Sequence, residues 1–139
     1  MDKKLIENIV DGLEPIALII RSEFDENGLR FFTPDSFSQQ IAYMKHPPGK
    51  KVQPHVHKLI PRQVLYTQEV LFVKRGKIKI DLFTSSKIFL TSRTLESGDV
   101  ILLCGGGHSL EMLEETVMFE VKQGPYAGEN DKTIFDAGK

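Results

Sequence analysis

The feature that most limits this chain is a run of short, alternating apolar segments separated by turns, from about residue 69 to residue 122. Lys77-Ile-Lys-Ile-Asp-Leu-Phe83 alternates polar and apolar residues. Side chains in a strand point to opposite faces in turn, so this pattern predicts a sheet with one face in a core and one in water. Glu69 to Lys74 reads as the strand before it, with Arg75-Gly76 as the turn. Thr84-Ser-Ser-Lys87 reads as a hairpin turn, and Ile88 to Leu95 as the strand pairing back. After a further turn at Ser97-Gly98-Asp99 come Val100 to Leu103, Ser109 to Leu113 and Thr116 to Lys122. Many short strands at such close intervals make the chain all-β, a sandwich or barrel.

The segment before residue 69 is more mixed. Leu5, Ile6, Ile9, Val10 and Leu13 recur at helical spacing, with Gly12 near the end, and this predicts a short N-terminal helix on the outside of the domain. Ile16 to Ile20 and Leu29 to Thr33 read as strands on either side of the turn signal Asp25-Glu-Asn-Gly28. Gln39 to Lys45 has strand character and is stopped by Pro47-Pro48-Gly49; Gln53 to His57 reads as another strand. The 139 residues suit one domain: a core over about 38–123, an N-terminal extension over 3–33 and a polar tail over 124–139 whose end is expected to be mobile.

Eighteen basic residues against nineteen acidic ones give a net charge of −1, which favours neither nucleic acid nor an anionic membrane as partner. No apolar run approaches the length of a membrane span, and the first ten residues lack a signal peptide's apolar stretch. A single cysteine, Cys104, excludes an internal disulfide, so the expected compartment is the cytoplasm.

Four residues carry the chemistry. His55 and His57, two apart in a strand, would project from one face, and Glu69 opens an apolar strand where a buried charge needs a partner. His108 follows the glycine run Gly105-Gly-Gly107, a turn able to bring it over the same mouth. Three imidazoles and a carboxylate suit Fe, Mn, Ni, Co, Cu or Zn, and leave coordination positions open.

The spacing resembles the cupins. Their first motif, G-x5-H-x-H followed by E-x6-G, is met by Gly49, His55, His57, Glu69 and Gly76, although eleven residues separate His57 from Glu69 where the family usually has three or four. In their second motif, G-x5-P-x-G-x2-H-x3-N, Gly98 and Gly106 fall in place and Cys104 stands for the proline. His108 comes one residue early and the final asparagine is missing. The resemblance spans about Gln40 to Val121. It implies a double-stranded jelly-roll barrel in which His55, His57, Glu69 and His108 bind one divalent metal, and it implies a homodimer. The apolar segments Ile16–Ile20 and Leu29–Phe32 are the expected contact.

Resemblance to small cupins of bacterial polysaccharide and sugar-nucleotide gene neighbourhoods implies a sugar-like small molecule and a place in carbohydrate metabolism. The reaction would be isomerisation, epimerisation or Fe(II) oxygen chemistry; the alternative is a module that holds metal and ligand without turnover. Tyr43, Gln53, Arg62 and Lys122 are pocket candidates, Gln53 because it shares strand parity with the histidines and Arg62 because a guanidinium can grip an anion. Tyr43, Glu120 and Lys122 are the candidates for a general acid or base. Cys104 reads as a small packing residue and His46 as a surface histidine.

Overall fold

The computed structural model describes residues 4–137. Ten strands account for its regular structure, with one 3-10 turn at Gly128–Asp131 and no α-helix among the described residues. In chain order the strands are β1 (Ile6–Asp11), β2 (Glu14–Ile20), β3 (Gly28–Phe31), β4 (Ala42–Lys45), β5 (Glu69–Arg75), β6 (Lys77–Phe83), β7 (Phe89–Glu96), β8 (Val100–Leu103), β9 (Gly107–Met112) and β10 (Val117–Lys122).

Every ladder is antiparallel. A five-stranded sheet runs β1-β2-β8-β5-β10, a three-stranded sheet runs β7-β6-β9, and β3 and β4 form a separate hairpin. The alternation expected in β6 is realised: Ile78, Ile80 and Leu82 are fully buried, while the polar residues between them face outward. Those three side chains, with Leu95, meet Ala17, Ile19, Leu71, Val73, Ile101 and Leu103 from the larger sheet in one core. The two sheets therefore lie face to face. They do not close into a barrel.

A second core covers the other face of the larger sheet. Leu18, Ile20 and Leu102 point there, under Phe24, Phe32, Ile41 and Tyr43 of the β3–β4 region. With both faces covered, β2 is buried from Ile16 to Ile20 and reads as a continuous apolar run. It lies between β1 and β8, so Ile16–Ile20 has no surface for contact with another copy; in the other segment named for that role, Leu29 and Phe31 are exposed.

The expected N-terminal helix is a strand. Residues of β1 pair with β2 from Ile6↔Ile20 to Asp11↔Glu14, around a two-residue loop in which Gly12 takes φ +59°. A glycine with positive φ at the first loop position is the requirement of a tight hairpin turn, so Gly12 turns the chain instead of ending a helix. The helical spacing was no face at all: Ile9 is buried, while Val10 and Leu13 are exposed.

One further expectation is corrected. Gln53–His57 is irregular and exposed, because no neighbouring strand supplies it with backbone partners. The tail is tied down through the residues described: Lys122 Nζ lies 2.7 Å from Asp131 Oδ2, and the Phe135 ring packs edge-on against Phe83, centroids 5.2 Å apart. Residues 138 and 139 lie outside the described residues.

Candidate functional site

Glu69, the first residue of β5, shares the inward face of its strand with Leu71 and Val73. It stands opposite Leu103 on β8 and Lys122 on β10. In the facing sheet, His108 is paired with Leu82, a fully buried inward residue, so His108 also points between the sheets. The two side chains meet: His108 Nε2 lies 2.8 Å from Glu69 Oε1, with 33% and 12% of the side chains exposed.

The glycines preceding His108 make this possible. Gly106 has φ +60°, and a Cβ on it would sit 2.2 Å from the Phe83 carbonyl oxygen; one on Gly105 would sit 2.2 Å from that of Pro15. Only a chain without side chains passes there. The tight passage leaves His108 on the inward face of β9.

Glu120, two residues before Lys122 and opposite Leu71, joins the pair from β10. The hydrogen bond from His108 holds the Glu69 carboxyl far below its ordinary value, at about 2, against the opposing effect of burial. Glu120 shifts up, because it shares a hydrogen bond with Glu69 and is partly desolvated beside that negative charge. One negative charge and one proton thus divide unequally between two carboxyls, with an imidazole on the far side. Lys122 is held by Asp131, which also accepts from the Thr67 hydroxyl.

Beside this cluster opens a cavity of about 540 Å³ lined by Arg62, Tyr66, Thr67, Lys122, Tyr126 and Asp131, among others. A larger one of about 860 Å³ also has Arg62 in its wall, with Phe31, Asp35 and Ser38. Volumes of this size suit small-molecule ligands. Arg62 and Lys122, separate guesses from the sequence, share one cavity. Asp131 and Thr67 were not singled out; Asp131 lay in the segment read as a polar tail.

The remaining candidates stand elsewhere. His55 and His57 are exposed on the irregular segment between β4 and β5, their rings 5.4 Å apart, and His55 Nδ1 lies 2.8 Å from the Gln53 carbonyl. Gln53 is exposed beside them. Tyr43 packs edge-on against Phe24 at 4.8 Å, in the core on the opposite face of the larger sheet from Glu69. Cys104 belongs to that same core, and burial pushes its thiol up to about 11. It is a packing residue.

For a divalent metal the donor types are right, but their placement is not that of an assembled centre. Glu69 and His108 form one pair and His55 and His57 another, and among the described residues no group of three or more His, Cys, Asp or Glu is arranged to hold a metal ion. No helix among them is long and apolar enough to cross a membrane.

Known proteins add nothing to this picture. No family model, no curated protein and no solved structure matches the chain.

Proposed function

We propose that this chain is a metal-binding protein of the cupin kind, its sandwich a jelly roll left open, and that it receives a small anionic, sugar-like molecule. Glu69 and His108 are one half of the ligand set; His55 and His57, brought in by the irregular segment, are the other. The observation carrying this reading is the 2.8 Å contact between Glu69 and His108. These residues come from different sheets, and both were singled out as ligands from the sequence, although His108 falls one position early in the second motif. A carboxylate and an imidazole turned toward each other at the rim of a sandwich supply half of an N/O site.

The adjoining cavity supports the ligand class. Arg62 and Lys122 give it two cations against the single carboxylate of Asp131, and Tyr66 and Tyr126 offer flat apolar faces to a ring. Isomerisation or epimerisation of the bound molecule extends this reading; holding it unchanged is the alternative. A second reading rests on the hydrogen-bonded series Glu120–Glu69–His108, which can store and pass a proton without metal.

The test is metal content by mass spectrometry on protein purified without a histidine tag and loaded anaerobically with Fe, Mn, Ni or Zn. The expected result is about one ion per chain, falling sharply in Glu69→Ala. No bound metal under any loading removes the metal reading and leaves the proton-transfer one. Calorimetry with glucose 1-phosphate, compared between the wild type and Arg62→Ala, tests the cavity.

A further inference from the structure

Between Lys45 at the end of β4 and Glu69 at the start of β5 the chain forms neither strand nor helix, and nearly all of it is exposed. A structureless stretch of this length is unusual inside a compact domain. Its side chains are not those of a solvated loop. Val56 is 89% and Leu59 101% exposed, and Val52, Ile60, Leu65 and Tyr66 are exposed as well. Among the described residues no backbone hydrogen bond ties 51–66 to the rest of the chain. Four of the seven prolines lie in it: Pro47 and Pro48 enter a turn closed from the Lys50 N–H to the Pro47 carbonyl, and Pro54 and Pro61 restrict the backbone beyond.

Its charge is equally one-sided. Residues 46–66 carry Lys50, Lys51, Lys58 and Arg62 and no carboxylate, leaving fourteen cations against nineteen acids in the remainder. Part of that acidity is concentrated along and after β9, at Glu111, Glu114 and Glu115. The edge strands β9 and β10 end their sheets and expose Met112, Phe119 and Val121. Open apolar edges of this kind invite pairing.

We propose that residues 46–61 form an arm exchanged between two copies of this chain, while Arg62 to Tyr66 stay against their own cavity. Each arm docks on the β9–β10 side of the other copy, basic and apolar against acidic and apolar. His55 and His57 of one copy then meet Glu69 and His108 of the second. In its own chain the arm's apolar side chains touch almost nothing. Reciprocal exchange buries both arms at once, in the self-complementary manner of a two-fold dimer. This inference rests on the metal-binding reading for the composite site, and on the arm alone for the dimer.

Sedimentation velocity tests the dimer. The wild type is expected to be dimeric at micromolar concentration, and Val56→Asp/Leu59→Asp to be monomeric; since both side chains are exposed, each copy still folds. A monomeric wild type, or a dimer unmoved by those changes, overturns the exchange. Mixing tests the composite site. His55→Ala/His57→Ala and Glu69→Ala chains each lose the metal alone, but subunit exchange between them restores about a quarter of the sites. A wild type that holds metal while the mixture restores none overturns the shared site. If the wild type itself takes no metal, the metal reading falls and sedimentation alone decides the arm.

Discussion

His108 donates from Nε2 to Glu69 Oε1 over 2.8 Å, although the two residues belong to different sheets and lie 39 positions apart. The contact ties the rims of the sandwich together and holds the Glu69 carboxyl well below its ordinary value.

That ionisation gives a signed pH dependence. Glu69 titrates near 4.5 when the chain is unfolded and at about 2 when it is folded. Its stabilising effect is therefore complete above the unfolded value and is lost as pH falls toward 2. Glu120, shifted upward, works the other way, since the folded chain keeps its proton to higher pH than the unfolded one. Glu69→Gln is expected to flatten the acid limb of metal-free stability below about pH 5 and to cost on the order of 2 kcal/mol near neutrality. Urea unfolding from pH 2.5 to 7 measures this. A wild-type limb of unchanged slope in the variant would remove the pair from the account.

Gly106→Ala is expected to be severe. The new methyl would stand 2.2 Å from the Phe83 carbonyl oxygen on a backbone at φ +60°. A loss of about 3 kcal/mol or more follows from displacing two strands together with left-handed strain. Gly12→Ala, with positive φ but nothing within 4 Å, is expected to cost only about 1 kcal/mol. Similar midpoints for the two variants in urea would contradict the close passage that turns His108 inward.

In the sequence β6 was readable because its alternation reflects one dry face and one wet one, a local property of the strand, and β8 because it is a short apolar run buried on both faces. The same logic failed at residues 5–13, where apolar positions three and four apart fit a helix. Nothing local revealed that β2 needed an edge partner, which β1 supplies. It failed again at Gln53–His57, because a strand exists only where another strand accepts its hydrogen bonds. Glu69 and His108 were legible as chemistry-bearing residues. Their neighbours Asp131 and Thr67 were not, since a tail folded back by one ion pair leaves no periodic trace.

Cys104 is expected to resist modification. Its thiol lies within the outer core and is pushed up to about 11 by burial, so almost none is thiolate at pH 8. Reaction with Ellman's reagent should be slow in the native protein and immediate in urea. Prompt native reaction would place the sulfur in solvent.

Tyr43 separates stability from function. Its ring fills the core beneath the β3–β4 hairpin, on the far side of the sheet from Glu69. Tyr43→Ala should cost about 2 kcal/mol and leave metal content unchanged. Loss of metal from a variant that remains folded would put the ring at the site.

The most direct test of the central claim counts imidazoles on the ion. In the Cu(II)-loaded protein, electron spin-echo modulation is expected to show imidazole nitrogens from His55, His57 and His108. The signal should weaken by one ligand in His108→Ala and by two in His55→Ala/His57→Ala. Modulation left unchanged by either variant would contradict the assignment of the Glu69–His108 and His55–His57 pairs to one metal.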